Sequence, residues 1–190
     1  LFRSVHNTFS YHFTPAGSMM ETGAHAVGCT VFAGGTGQTE QQLQAIAELR
    51  PAAYTGRPSF LRILTEKAEA TGARLSIVKG LVGGEAFPPS LRDWFAAQGM
   101  AIYQSYATAD LGVVAYETSA REGLVIDEHV LVEIVRPGTG DPVPEAWELA
   151  RRWGDATAEA IDELLASDNA LVADGFWGRR FLSRVAGQLP

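Results

Sequence analysis

Between Ile77 and Glu117 the sequence switches repeatedly between two periodicities, and this limits what the chain can fold into. Ile77-Val78-Lys79-Gly80-Leu81-Val82 is a short apolar run that reads as a strand, and Gly83-Gly84-Glu85 ends it. Pro88-Pro89-Ser90 opens a helix with Leu91, Trp94 and Phe95 on one face. Gly99 stops that helix. A second strand starts at Ala101-Ile102-Tyr103 and runs into Tyr106-Ala107-Thr108-Ala109-Asp110. Two neighbouring strands joined by a helical crossover lie parallel, so both loops emerge at one carboxyl edge. In open α/β sheets that edge binds ligands.

The residue types at this edge suit a planar ligand. Paired glycines let a ring lie against bare backbone, and a tyrosine on the next loop can cover its other face. Taken alone, Gly83-Gly84 fits a plain turn equally well.

The rest of the chain repeats the strand and helix alternation. Val5 to Thr14 alternates aromatic and polar residues and reads as extended chain, which Pro15-Ala16-Gly17-Ser18 breaks. Met19 to Val27 reads as a helix whose stripe of Met19, Met20, Gly23, Ala24 and Val27 suits close packing on a sheet. Cys29-Thr30-Val31-Phe32 reads as a buried strand. Gly34-Gly35-Thr36-Gly37 follows it, without the Lys-Ser/Thr of a phosphate-binding P-loop. Thr39 and Gln42 have the spacing of a capping box, ahead of a helix with Leu43 and Ile46 inward. Ala52-Ala53-Tyr54-Thr55 is a strand. Pro58 then opens a helix with Phe60, Leu61, Leu64 and Ala68 on its inner face, and Gly72 closes it. Together these elements predict an α/β fold, a parallel sheet with crossover helices. After Gly112, Val113 to Glu117 and Val130 to Val135 predict a small antiparallel portion. Residues 146–190 predict a helical tail.

Composition narrows the function. The chain has 190 residues, 46% hydrophobic and 19% charged, which is globular. A net charge of -7 and no Lys/Arg cluster argue against a nucleic-acid partner. No apolar run approaches the ~20 residues that span a bilayer, so no membrane partner is expected. Cys29 is the single cysteine, which excludes an internal disulfide framework and suits a cytoplasmic location. His6, His12, His25, His129 and Cys29 lack the spacing of a zinc site, and no Gly-x-Ser-x-Gly elbow occurs. Asp110 and Glu117 could pair as acid and base. The opening at Leu1 in mid-pattern suggests a piece of a longer protein.

Several ordered blocks resemble the phenylacetate–CoA ligase family of adenylate-forming, AMP-binding enzymes. Gly83-Gly84-Glu85-Ala86-Phe87-Pro88-Pro89-Ser90-Leu91-Arg92 is similar to its "GGEp.s..lR" block. Tyr106 to Asp110 lies where the family has Tyr-Gly-x-Thr-Glu. Tyr116-Glu117-Thr118 resembles its "EC" element, and Gly123 to Pro144 resembles its "GlHi..d..lvEivdP.tG.pvp" run. The resemblance implies a partial AMP-binding domain over residues 1–145, the central part of the large domain, followed by a tail of other origin over 146–190.

It also implies a reaction: ATP activates a phenylacetate-like carboxylic acid to an acyl-adenylate, and coenzyme A takes the acyl group. Gly83, Gly84, Glu85 and Ala86, with Tyr106, Ala107 and Ala109, would hold the nucleotide, with Tyr106 on the adenine. Asp110 would be the catalytic carboxylate, approaching a magnesium ion on the phosphates. Tyr11, Phe13, Ala16 and Gly17 would form the acid pocket, with Gly34 to Gly37 shaping its wall. A homodimer is one option for the oligomeric state. Ala107, Ala109 and Asp110 replace the Gly, Thr and Glu of the family pattern, which points to a divergent branch. The family's phosphate-gripping loop and C-terminal lysine domain have no match here. The competing reading is a non-catalytic, truncated or remodelled module for nucleotide binding or interaction, and a third is an unrelated Rossmann-like nucleotide binder.

Overall fold

The computed structural model describes residues 4–121, 123–132 and 138–139. Chain order is β1 (Ser4–Asn7), α1 (Ala16–Ala26), β2 (Thr30–Ala33), α2 (Thr39–Leu49), β3 (Ala53–Gly56) and α3 (Pro58–Ala70). Then come β4 (Lys79–Val82), α4 (Pro89–Ala97), β5 (Ala101–Thr108), β6 (Gly112–Glu117) and β7 (Leu124–Ile126). The strands form one sheet in the order β2-β1-β3-β4-β5-β6-β7. The first five are parallel, and β6 and β7 add antiparallel. This is the expected α/β architecture. Contacts divide the chain into a unit of Leu1–Ser119 with Leu124–Asp127 and a second of Ala120–Gly123 with Glu128–Pro190. Most of the second unit, including the expected tail over 146–190, lies outside the described residues.

The strand order explains the layering. The chain leaves β1 in one direction to make β2, then crosses back over β1 to make β3. Right-handed crossovers in opposite directions put their helices on opposite faces, so α1 sits on one face and α2 on the other. The apolar core fills the second face. Ile46 of α2, Leu61 and Leu64 of α3 and Phe95 of α4 pack on Tyr54, Val82 and Ile102 of the strands. Each is essentially removed from water, worth roughly 1.5–3 kcal/mol per large side chain. Helix ends follow their residues: Pro58 and Pro89 sit in the first turns of α3 and α4, where a missing N–H costs nothing.

Four expectations change. Helix α1 begins at Ala16, with Pro15 as its N-cap, because a proline needs no N–H partner at a helix start. Strand β2 is exposed rather than buried, since it forms the sheet edge. The second antiparallel strand is Leu124–Ile126; Val130 to Val132 are not strand, and 133–137 lie outside the described residues. No side chain caps α2. Gln42 turns inward instead, and its Oε1 meets His6 Nε2 at 2.6 Å.

His6 on β1 is fully buried and stacked on Phe32. Burial holds its pKa below the usual 6.5, against a smaller upward pull from the Gln42 hydrogen bond. The Gln42 oxygen only accepts, so Nε2 carries the proton and Nδ1 has no partner. Below pH 6.5 the unfolded chain takes up a proton that folded His6 refuses, so stability falls as pH drops from 6.5 toward the lower folded value. Urea melts of the native protein should give a lower midpoint at pH 5.5 than at pH 7.5. His6→Gln should be less stable at both but nearly flat between them.

Candidate functional site

The face opposite the core is not packed shut. Between α1 and the sheet lies a cavity of about 1060 Å³, at the upper end of small-molecule sites. Its roof is the stripe of Met19, Met20, Gly23, Ala24 and Val27. Its floor is the set of strand residues whose side chains alternate away from the core, among them Ala53, Thr55, Leu81, Tyr103 and Ser105. The roof helix was expected to pack closely on the sheet. Instead a side chain at Gly23 would meet nothing within 4 Å.

The rim stands at the carboxyl edge. Gly83 and Gly84, from the end of β4, meet Phe9, Ala107 and Ala109 around the same opening. Both glycines are required by the backbone. A Cβ on Gly83 would come within 2.9 Å of the Ser105 carbonyl oxygen and Oγ. Gly84 has φ +75, a left-handed conformation that side chains disfavour, and space beside it, with the Phe9 ring 3.7 Å from a would-be Cβ. The edge is thus bare backbone facing an aromatic ring.

The other expected nucleotide residues divide. Ala107 and Ala109 line the cavity, whereas Tyr106 is not among its lining residues. Tyr106 pairs with Ala115 inside β5, and the register shifts between Tyr106 and Ala107. Ala86 is exposed beyond the rim. The Glu85 carboxylate accepts the Ser59 N–H in the first turn of α3, so it serves that helix terminus. Asp110 is exposed in the turn between β5 and β6, one residue past the rim. No cluster of three candidate metal ligands occurs among the described residues. The donor set fits a magnesium ion that arrives on nucleotide phosphates and keeps its waters, since one carboxylate then suffices.

The acid-pocket residues also divide. Ala16 lines the cavity. Gly17 and Tyr11 pack on each other behind it: a Cβ on Gly17 would lie 2.8 Å from the Tyr11 ring. Asn7 Nδ2 donates to Tyr11 Oη at 2.8 Å and to the Gly17 carbonyl at 2.9 Å, locking the pair. Burial first, then Glu21, pushes the Tyr11 phenol up to about 12. Phe13 is wholly exposed, at φ 52, and stands outside the cavity. Phe9 occupies the rim instead. Gly34 to Gly37 do not line this cavity. The Gly35 and Gly37 carbonyls accept from Gln42 Nε2 at 2.9 and 2.7 Å, and Thr36 and Gly37 border a separate cavity of about 220 Å³ beside Thr8 and Arg57.

A buried ion pair braces the rim. Arg92 of α4 donates to Glu117 of β6 at 2.7 Å, with side-chain exposures of 15% and 1%. The same Glu117 oxygen accepts the Gln104 N–H at 3.1 Å, and the Arg92 guanidinium lies 4.6 Å from the Phe87 ring centroid. Glu117 is therefore committed to Arg92 rather than to an acid and base pair with Asp110. Sequence reasoning missed Phe9, Thr55 and Ser105 as lining residues; alternation along β3 and β5 could have pointed to Thr55 and Ser105, whereas Phe9 stands in the loop after β1.

Comparisons with known proteins identify the family and the fold. The family described as AMP-binding enzyme matches residues 4–148. The phenylacetate-coenzyme A ligase of Thermus thermophilus is 30% identical over 74% of this chain and 34% of its own length. That of Aromatoleum evansii is 28% identical over 83% of this chain and 38% of its own. The chain thus spans about a third of the length of these curated relatives. A crystal structure of 2-hydroxyisobutyryl-CoA ligase, in an open conformation with 2-HIB-AMP and CoA, shares the fold. It superposes with TM-score 0.67 at 18% identity, covering 76% of this chain and 35% of that one.

Removing the arginine of the brace would leave a carboxylate buried without its counter-charge. Arg92→Met should destabilise the protein by about 3–5 kcal/mol, read from urea midpoints. An exposed pair behaves differently: Arg62→Met, which breaks the Arg62–Glu66 bridge, should cost under about 1 kcal/mol.

Proposed function

This chain belongs to the AMP-binding enzyme family, and on that premise we propose that its cavity is the acid and nucleotide site of an acyl- or aryl-CoA ligase. One observation carries the reading. The bare backbone of Gly83 and Gly84 and the small residues Ala107 and Ala109 open onto one cavity at the carboxyl edge of a parallel sheet. Adenosine monophosphate fits that rim and an apolar acid fits the chamber beneath α1. The acid carboxylate then meets the α-phosphate where the two compartments join.

In the first step a carboxylate oxygen attacks the α-phosphorus, the bond to the bridging oxygen breaks, and pyrophosphate leaves. In the second, the coenzyme A sulfur attacks the acyl carbon, giving the thioester and releasing AMP. The chain contributes mainly orientation and exclusion of water. Magnesium, when bound, would neutralise phosphate charge, and Asp110 would hold it. Tyr106, next to Ala107 on β5, would cover the adenine once its ring turns toward the rim. Phenylacetate-like acids are the substrate class, because the similar ligases named above act on phenylacetate and the chamber is apolar. A cytoplasmic location goes with this reading, since ATP and coenzyme A are both available there. Among the described residues no helix is long and apolar enough to cross a membrane.

Lys79 is the one Lys or Arg among the residues that line the cavity, and it lies at the end away from the rim. A transition state that builds charge on phosphate needs preorganised donors worth several kcal/mol, and the described lining offers only this one cation, so weak nucleotide binding and no acyl-adenylate are the expected outcomes for this chain. Calorimetric titration should give AMP affinity in the millimolar range, about 4 kcal/mol. Gly84→Ala should lower it about tenfold, because a methyl would stand on the ring's side of the backbone; the left-handed φ should separately cost about 1 kcal/mol of stability, read from urea midpoints, with circular dichroism showing the fold retained. Asp110→Asn should leave AMP affinity alone and remove any gain in ATP affinity on adding magnesium. Equal AMP binding by Gly84→Ala would take Gly84 out of the site.

A further inference from the structure

One residue of the cavity floor, Thr55, carries a hydroxyl that nothing in the protein satisfies. Thr55 Oγ1 is buried and has no hydrogen-bond partner. Thr55 is 5% exposed and lines the cavity from the middle of β3. Such a hydroxyl is costly to bury alone, and native proteins rarely leave one so. Its neighbours do not compete for it. Across β1, the Asn7 amide is spent on Tyr11 and Gly17, and its oxygen accepts the Phe9 N–H. On the other side stands Leu81, in register with Thr55. The nearby Ser105 hydroxyl donates to the Val82 carbonyl.

Its depth defines what could reach it. Thr55 is level with Leu81, and Leu81 is two residues below Gly83 at the rim. At about 3.3 Å per strand residue, the hydroxyl lies about 7 Å beneath the edge where a carboxylate would meet the nucleotide. A para-substituent on an arylacetic acid stands about that far from its carboxyl carbon. Lys79, four residues below Gly83, lies about 13 Å down and is beyond the reach of a single ring. The walls between rim and Thr55 suit a flat ring: Leu81 below and the thioethers of Met19 and Met20 above, which pack well against aromatic edges.

We infer that the acid taken by this cavity is an aromatic acid with a hydrogen-bonding group, such as a hydroxyl, at the ring position farthest from its carboxyl arm, and that Thr55 reads that group. A hydroxyl both donates and accepts, so it can satisfy Thr55 Oγ1 in either sense. The inference rests on the reading of the rim as the nucleotide edge.

The test compares phenylacetate, 4-methylphenylacetate and 4-hydroxyphenylacetate as free ligands, titrated by NMR into the native chain, Thr55→Val and Thr55→Ser. The 4-methyl compound fills the same space without the hydrogen bond. The hydroxyl compound should bind the native chain about five- to tenfold more tightly than the methyl compound. Thr55→Ser should keep that preference. Thr55→Val, which conserves shape and strand propensity, should reduce it to about one. A native chain that binds the methyl and hydroxyl acids equally, or a preference that survives Thr55→Val, overturns the inference and leaves the acid-site reading standing. Binding of none of the three acids overturns both.

Discussion

The Arg92–Glu117 pair is the interaction on which the geometry of this edge depends. It joins three elements at once: the helix after the glycine rim, the strand β5 through the Gln104 N–H, and the antiparallel strand β6. Arginine suits the task because its fixed fork can serve Glu117 while its plane lies over Phe87. In isolation, two buried charges gain little over an apolar contact of the same shape, since desolvation offsets their attraction. What they add here is register. Glu117 can satisfy Arg92 and Gln104 together only where β6 sits against β5 as it does, beside the cavity that Gly83, Ala107 and Ala109 line.

The two faces of the sheet divide the labour. One face is close-packed, with Tyr54, Leu61, Leu64, Phe87 and Phe95 removed from water. The other carries α1 on a few anchors, the Asn7, Tyr11 and Gly17 cluster foremost, and leaves the remainder of that helix over a chamber. A cavity of this size forfeits contact energy along its walls, so the dense face must supply the stability that the open face gives up. The crossover reversal at β1 makes this possible. It sends the helices to opposite faces and leaves the opening along the carboxyl edge of the parallel strands, where open α/β sheets hold ligands.

Much of this was legible in the sequence, because the signals were local. Pro58 and Gly72 bound one helix, Pro89 and Gly99 another, and the strand, helix, strand order fixed the parallel sheet. The pairing of Gly83-Gly84 with the end of β5 followed from that order alone. What was hidden depends on long-range arrangement. An apolar run such as Cys29 to Phe32 does not state whether its strand is central or at the edge. The Met19 to Val27 stripe shows that one helix face is apolar, but not that it roofs a chamber. Gln42 has capping-box spacing, yet His6, distant in sequence, draws its side chain away. Period-two alternation cannot foresee the register shift that separates Tyr106 from Ala107. Phe13 and Phe9 look alike in the sequence, and only the backbone turn at Phe13 sends one to water.

If one chamber holds nucleotide at its rim and acid beneath α1, an acyl-adenylate must span both. A crystal structure of the chain with a non-hydrolysable phenylacetyl-adenylate analogue, its phosphate replaced by a sulfamate, tests that most directly. Adenine is expected against the Gly83-Gly84 backbone and the aryl ring between Met19, Met20 and Leu81, with the acyl linkage at the rim. Adenine bound at that edge with its acyl group directed to solvent, or the analogue seated away from α1, would contradict it.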